Sequence, residues 1–315
     1  MITLANKVAV VAGASRGCGR GLALALGAAG ATVYVTARTS NSAPPPVDGA
    51  PGTIEEVAQE ILRLGGKAIA VTVDFTSHGE VDLLFERVRS EQQSLDILAC
   101  AVWGGNERHL LPIWKQQFWL QPVQNWHEFL DAGAKAFWLG AHGASRIMAR
   151  QPSGGVIAVV SEPILENAFE GQQSSAQETF SHLAHYSINR LVGSFAGEAR
   201  DAGIAIVGLL PGFMKTERIE RHFEVLGPAA REQMRYDLAE SPEYAGRALV
   251  ALASDPNVLA KAGKLLYVAD LAKEYGVTDI DGEWKPNFYR ASVLSTEQSR
   301  LRSRLDWLRL KRRER

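Results

Sequence analysis

Short apolar runs alternate with longer segments of helical periodicity along most of the chain. The first run, residues 8–12, is continuously apolar, as expected of a strand that is buried on both faces. Further runs predict strands at 32–36, 67–73, 96–102, 156–161, 204–210 and 264–268. Helical patterns separate them at 18–29, 53–64, 78–93, within 123–150, at 186–202 and at 242–254. This alternation predicts an α/β fold, a doubly wound parallel sheet of about seven strands with helices on both faces.

Three segments depart from this alternation. Residues 41–52 are rich in Pro, Ala and Gly and predict a loop, while residues 165–179 are polar and predict an inserted loop or flap. Residues 298–315 carry eight Lys and Arg against two acidic residues, with leucines on one helical face. This basic end favours a docked C-terminal helix over a helix on a membrane surface. We expect one domain over residues 1–284 and a C-terminal extension over residues 285–315.

Composition and charge exclude several classes of protein. Hydrophobic residues make up 46% of the chain, charged residues 22%, and the formal net charge is −1. So small a charge does not favour nucleic acid as a partner. Cys18 and Cys100 have neither a CxxC nor a metal-ligand spacing, so we expect no disulfide. No signal sequence is recognised and no apolar run reaches the ~20 residues of a membrane span, which predicts a cytoplasmic protein without integral membrane contact.

A glycine-rich loop directly follows the first predicted strand. Glycines at positions 13, 17 and 19 allow a tight turn and the close approach of a pyrophosphate to the backbone. The first amides of the following helix also favour an anion. In this strand–loop–helix context, the spacing predicts a Rossmann-type dinucleotide site formed by Gly13, Ser15, Arg16, Gly17, Cys18 and Gly19.

Two arginines indicate which dinucleotide binds. The second strand ends at Thr36-Ala37-Arg38, without the acidic residue that would bind a ribose 2′-hydroxyl. Arg38 and Arg16 instead offer guanidinium groups that suit a 2′-phosphate. The sequence therefore favours NADP(H), with NAD(H) as the alternative.

Two later motifs, together with this loop, resemble the classical branch of the short-chain dehydrogenase/reductase family. They are Asp74-Phe75 after the third strand and Pro211-Gly212-Phe213-Met214-Lys215-Thr216 after the sixth. Phe118-Trp119, Trp126 and residues 263–282 resemble a narrower branch of that family. The resemblance implies an NAD(P)-dependent oxidoreductase that forms a homodimer or homotetramer. It also implies cofactor contacts from Asp74, Phe75, Pro211, Gly212, Phe213 and Thr216.

The family's catalytic tetrad of Asn, Ser, Tyr and Lys is altered in this chain. Its YxxxK motif aligns with Tyr186 and Arg190, which would be the acid/base and the cation that anchors the nicotinamide ribose. The asparagine position aligns with Asp131. The serine position aligns with Glu162, with Ser161 one residue earlier, so that either residue is a candidate substrate contact.

An ionised Glu162 would repel a developing oxyanion, because a carboxylate only accepts hydrogen bonds. Three arrangements would avoid this repulsion. Glu162 could pair with Arg190 and leave Ser161 to face the substrate, or burial could keep Glu162 protonated. Alternatively, the substrate could develop positive charge, as an imine does.

Aromatic residues follow the fourth strand and predict a pocket for a small apolar or aromatic substrate, with ordinary core packing as the alternative. They are Trp103, Trp114, Phe118, Trp119 and Trp126. We expect an NADP(H)-dependent enzyme that transfers a hydride to or from an apolar carbonyl or imine. The alternatives are an NADP(H)-binding non-redox enzyme that uses Glu162 or Asp131 as a base, and a binding or scaffold protein with a decayed site. His182 and His185 lack further ligands in the sequence, so we predict no metal site.

Overall fold

A computed structural model describes residues 3–43, 46, 49–105, 117–163 and 179–291. Within these residues, seven strands form one parallel sheet in the order β3-β2-β1-β4-β5-β6-β7. The strands are β1 Val8–Ala12, β2 Thr32–Ala37, β3 Lys67–Thr72, β4 Ile97–Cys100, β5 Gly155–Val160, β6 Ile204–Leu210 and β7 Leu265–Tyr267. The strand order reverses between β1 and β4, which is where sheets of this kind bind ligands.

Helices cover both faces of the sheet, and the predicted α/β class is confirmed. Their bounds are α1 Gly17–Ala28, α2 Ile54–Arg63, α3 His78–Gln92, α4 Gln124–Trp126, α5 Ala136–Met148, α6 Thr179–Ala199, α7 Glu217–Leu226, α8 Pro228–Gln233, α9 Pro242–Ala253 and α10 Val268–Glu274. A π-helical stretch, His127–Lys135, joins α4 to α5. Helices α1, α2, α9 and α10 pack on one face, and α3, α5 and α6 pack on the other.

The side chains of β1 divide the core into two halves. Ala9 and Val11 belong to the half under α1 and α9, whereas Val8, Val10 and Ala12 belong to the half under α3 and α5. All five side chains are buried. Because successive side chains of a strand point to opposite faces, a strand covered on both sides has no polar face, which explains the unbroken apolar run.

Several helical segments differ from the prediction. Helix α6 spans Thr179–Ala199, so it includes residues ahead of the predicted start at 186. The short helices α7, α8 and α10 were not predicted, and α7 buries only Phe223. The π-helical stretch was also missed; within it Ala132 departs from helical geometry, with φ −85° and ψ 23°.

Parts of the prediction lie outside the described residues. These are Trp114, the inserted segment from 165 to 178, and the basic end from 298 to 315. Among the residues that are described, no helix is long and apolar enough to cross a membrane. The described start of the extension contacts the site, since Phe288 packs on Phe213 with ring centroids 5.7 Å apart.

Candidate active site

The glycine loop lies between the carboxyl ends of β2 and β4. The amides of Gly13 and Ala14 donate to Thr36 O, at 2.8 and 3.0 Å. Gly13 has φ +79°, and a Cβ there would lie 2.7 Å from Ala101 O. A Cβ on Gly19 would lie 2.0 Å from Gly13 O. Only glycine fits these two positions, and the loop leaves the first amides of α1 at the edge of the sheet where a dinucleotide pyrophosphate would bind.

The segment after β6 closes onto this loop through Thr216 and Glu217. The Gly17 amide donates to Glu217 Oε2 at 2.9 Å. Thr216 caps α7 by accepting from Ile219 N at 3.3 Å. A carboxylate therefore lies on one of the amides that would bind a pyrophosphate. This shows that the start of α1 accepts an anion, as the predicted cofactor site requires.

Arg16 and Arg38 lie on either side of the strand ends. The Arg16 guanidinium donates from Nη2 to Gly52 O at 3.1 Å, which places it between the glycine loop and the loop before α2. Arg38 directly follows β2 and is exposed. No acidic residue lies between Thr36 and Ser40.

Residues 74 and 75 differ in what they offer a cofactor. Asp74 Oδ1 accepts from Thr76 N and Thr76 Oγ1, both at 2.8 Å, which fixes its carboxylate at the carboxyl end of β3. The Phe75 side chain is buried in the core half under α3 and α5. Its predicted cofactor contact is thus limited to the backbone. Burial also raises the pKa of the Cys18 thiol, so Cys18 offers its amide rather than a thiolate.

Ser161, at the carboxyl end of β5, contacts a histidine on α6. Its Oγ lies 3.1 Å from His185 Nδ1, and the two residues are 1% and 7% exposed. His185 Nε2 lies 3.9 Å from Glu162 Oε2, and its ring stacks on Trp103 with centroids 4.4 Å apart. Burial, followed by the neighbouring His182, lowers the pKa of His185 to about 4. The imidazole is therefore neutral at neutral pH.

The predicted pair Tyr186 and Arg190 lies on a different side of α6. Tyr186 is 50% exposed and Arg190 is also exposed. One residue along a helix turns its direction by about 100°, so His185 and Tyr186 cannot both face Ser161. Counted back from His185, the four-residue spacing of the family motif reaches Ser181. The structure corrects the expected geometry: His185, not Tyr186, lies on the Ser161 side of α6.

The two predicted acidic members of the site have different partners. Asp131 lies in the π-helical stretch, and its Oδ2 is 2.6 Å from His127 Nδ1. The Glu162 side chain is 60% exposed, while its backbone oxygen accepts from Asn189 Nδ2 at 2.9 Å. Glu162 therefore remains solvated at its carboxylate, and Ser161 is the buried member of the predicted Ser161/Glu162 pair.

Two groups of aromatic rings lie in the region of the site, one continuous with the Trp103 ring on His185 and one in the C-terminal segment. Trp103 meets Phe129 edge-on at 5.5 Å, and Phe129 stacks with Phe180 at 6.4 Å. The C-terminal segment adds Tyr289, 5.8 Å from Tyr267 and 5.9 Å from Phe288 between ring centroids. Trp119 and Trp126 are exposed, and their place in a substrate pocket stays a prediction.

Two residues of the site region were not found from the sequence. Glu240 is 1% exposed and accepts from the Gly212 amide; burial raises its pKa to about 8. Burial and then the carboxylates of Glu162 and Glu240 raise the pKa of Tyr289. Both residues follow segments without a strong apolar period, so only the tertiary fold brings them to the site.

Comparisons with known proteins identify the family of this chain. The family model described as short chain dehydrogenase matches residues 7–225. Human "Dehydrogenase/reductase SDR family member 1" is 36% identical over 301 residues, covering 92% of this chain and 88% of that protein. The mouse protein of the same name is 34% identical, covering 94% of this chain and 90% of that protein.

Solved structures share the fold. A short chain dehydrogenase from Mycobacterium thermoresistibile has a TM-score of 0.71 and 23% identity, covering 90% of this chain and 92% of that one. A 7α-hydroxysteroid dehydrogenase, solved with NADH and 7-oxo glycochenodeoxycholic acid, has a TM-score of 0.65 and 23% identity. That comparison covers 84% of this chain and 94% of that one.

Proposed function

We propose that this chain uses NADP(H) to reduce or oxidise an apolar or aromatic carbonyl or imine compound. The chain belongs to the short-chain dehydrogenase/reductase family and is an NAD(P)-dependent oxidoreductase. Within the family it resembles SDR family member 1 most clearly among the relatives described above. The choice of cofactor and the class of substrate are the parts that the proposal adds.

The choice of NADP(H) depends on the ends of β1 and β2. A related fold holds NADH in the 7α-hydroxysteroid dehydrogenase structure, so the fold alone does not select the cofactor. Selection depends on the residues beside the adenosine ribose. Here Arg38 follows β2, Arg16 is held against Gly52, and no carboxylate lies between Thr36 and Ser40. A guanidinium attracts a 2′-phosphate, whereas the missing carboxylate is what NAD(H) would need.

The remaining cofactor contacts would come from the glycine loop and from the segment after β6. The amides at the start of α1 would bind the pyrophosphate, and Thr216 lies beside Gly17. Asp74 lies at the carboxyl end of β3, and Pro211, Gly212 and Phe213 follow β6. When bound, the nicotinamide supplies or accepts the hydride.

The substrate class depends on the aromatic rings around Ser161. Trp103, Phe129 and Phe180 form one aromatic group, and Phe288 and Tyr289 of the C-terminal segment form another with Phe213, which follows β6. Ser161 and His185 are buried polar groups, and the His185 ring stacks on Trp103 of the first group. An apolar pocket with few polar groups suits a small apolar or aromatic molecule that has one carbonyl or imine to orient.

The test is titration of the protein with NADPH and NADH, followed by tryptophan fluorescence, and then assay of NADPH consumption on a panel of ketones, aldehydes, quinones and cyclic imines. We expect tighter binding of NADPH, lost preferentially in Arg38→Ala and retained in the control Arg63→Ala, an exposed arginine on α2. Equal affinity for both cofactors would contradict the proposed selectivity. Binding without turnover of any panel member would favour the non-redox or scaffold alternative. The cytoplasmic location and the homo-oligomer stay predictions.

A further inference from the structure

We propose that Glu162, His185 and Ser161 form a proton relay that performs the acid–base step of this enzyme in place of a tyrosine and lysine pair. The inference rests on the proposed function, since the relay moves the proton that accompanies the hydride. It makes His185 a residue of the proton-transfer machinery and removes that role from Tyr186.

The two ring nitrogens of His185 face different partners. Nδ1 lies 3.1 Å from Ser161 Oγ, in the buried part of the site. Nε2 lies 3.9 Å from Glu162 Oε2, whose side chain is 60% exposed. Imidazole can accept a proton at one nitrogen and release one from the other. His185 therefore lies between a buried hydroxyl, at hydrogen-bond distance, and a solvated carboxylate, whose exposed side chain needs only a small movement to reach hydrogen-bond distance of Nε2.

Neighbouring contacts hold each member of the relay. The Ser161 amide donates to Leu209 O at 2.9 Å, which anchors the end of β5 to β6. The His185 ring stacks on Trp103 at 4.4 Å with an interplanar angle of 20°. Asn189 donates to the backbone oxygen of Glu162 at 2.9 Å. Groups held by packing and by further hydrogen bonds keep the geometry that proton transfer requires.

The relay balances the reduction of a carbonyl. The carbonyl carbon gains a hydride with its electron pair, and the π electrons move to the oxygen, which takes the proton of Ser161 Oγ. Ser161 regains a proton from His185 Nδ1 as His185 takes one at Nε2 from water through Glu162. The sum is one hydride from the cofactor and one proton from solvent. His185 is left as the Nε2–H tautomer, and proton exchange with water between turnovers restores the Nδ1–H tautomer. Oxidation of the alcohol moves each proton in the opposite direction.

The electrostatic surroundings support a neutral ring before and after this transfer. His182 on the same helix and burial both disfavour the imidazolium, and the pKa of His185 is lowered to about 4. Glu162 faces the His185 ring from the end of β5. The Glu162 charge also raises the pKa of Tyr289 in the C-terminal segment. A buried, neutral imidazole has one N–H group and one free acceptor nitrogen, so it can accept a proton at one nitrogen and release the other without first being deprotonated.

The deciding variant is His185→Asn, whose amide can still reach Ser161 but has no second nitrogen to protonate. We expect kcat to fall by about 100-fold or more in His185→Asn and in Ser161→Ala, with the Kd for NADPH unchanged. The double variant should lose no more than either single variant, because the residues act as one unit. Ser187→Ala, an α6 control whose hydroxyl donates to Leu183 O, should match the wild type.

Tyr186→Phe separates the relay from the motif-based assignment. The relay predicts that this variant loses less than about ten-fold in kcat. A loss as large as that of His185→Asn would overturn the relay, and so would a His185→Asn variant with wild-type turnover. If the wild type itself turns over no carbonyl or imine, the proposed function fails, which is a different result from a loss confined to the variants.

A second measurement does not depend on turnover. In protein labelled with ¹⁵N-histidine, the ring signal that disappears in His185→Asn is expected to stay neutral from pH 8 down to about pH 5. Its Nδ1 resonance should shift in Ser161→Ala and not in Ser187→Ala. A ring that titrates at the ordinary value for histidine, or an Nδ1 resonance that ignores the loss of the Ser161 hydroxyl, would overturn the relay.

Discussion

Removal of the Glu217 carboxylate should tighten the binding of NADP(H). Glu217 Oε2 accepts from the Gly17 amide at 2.9 Å, at the start of α1. The pyrophosphate needs the amides of this turn, and two anions cannot share one N–H group. The cofactor must therefore displace Glu217, and part of its binding free energy is consumed in doing so. Glu217→Gln removes the charge and leaves the side chain at nearly the same size.

The magnitude follows from the kind of hydrogen bond that is lost. A hydrogen bond to a charged group contributes about 1.5–3 kcal/mol. Glutamine keeps an acceptor oxygen and Glu217 is only partly buried, so we expect the lower end of that range. About 1.4 kcal/mol corresponds to a ten-fold lower Kd for NADPH. The substitution also removes an acidic residue from the first turn of α7, which should lower stability by about 0.3–1 kcal/mol.

The assay is a fluorescence or calorimetric titration of wild type and Glu217→Gln with NADPH and with 2′-AMP. The second ligand has the 2′-phosphate but no pyrophosphate, so its Kd should be the same in both proteins. Glu224→Gln, an exposed glutamate on the same helix, controls for a general change in charge. An unchanged or weaker affinity for NADPH in Glu217→Gln, or an equal gain in Glu224→Gln, would refute the competition.

Three further results are expected. Gly13→Ala should lower the free energy of unfolding by about 1–3 kcal/mol from backbone strain alone, and it should not bind NADPH, because its Cβ would lie 2.7 Å from Ala101 O. The control is Gly79→Ala, whose Cβ meets nothing within 4 Å and which should leave the urea midpoint unchanged. The pKa of His185 is about 4 in the folded state and 6.5 ordinarily, so the unfolded chain takes up a proton first as pH falls through this window. The free energy of unfolding of the wild type should therefore fall by up to about 3 kcal/mol relative to that of His185→Asn. Parallel curves of stability against pH for the two proteins would contradict this. The pKa of Glu240 is raised from 4.5 to about 8, so stability falls as pH rises through this window, and Glu240→Gln should abolish that fall when denaturation midpoints are compared at the two ends of the window.

The sheet and the cofactor loop were predictable because their signals are local. A strand covered on both faces must be apolar throughout, so the run at 8–12 matches β1 without an error, and the run at 32–36 ends one residue short of β2. The glycine loop follows from steric requirements within a few residues of β1. Glu217, Glu240 and Tyr289 reach the same region from distant parts of the chain, and no local pattern places them there.

The position of the acid–base group could not be taken from motif spacing, although another pattern in the sequence bears on it. Tyr186 with Arg190 and Ser181 with His185 are both pairs four residues apart on α6, and the two pairs, offset by five residues, differ by about 140° around the helix. The spacing of a motif thus does not decide which pair faces the sheet. The buried positions of α6 decide it, and they recur at 184, 188, 192 and 196 with His185 beside them. Extended from 196 back toward 184, this apolar period excludes 186 and 190 from the buried face. A match to YxxxK therefore has to agree with the apolar face of its helix before its tyrosine is assigned to the active site. Here the motif points to Tyr186, whereas the apolar face of α6 favours its neighbour His185.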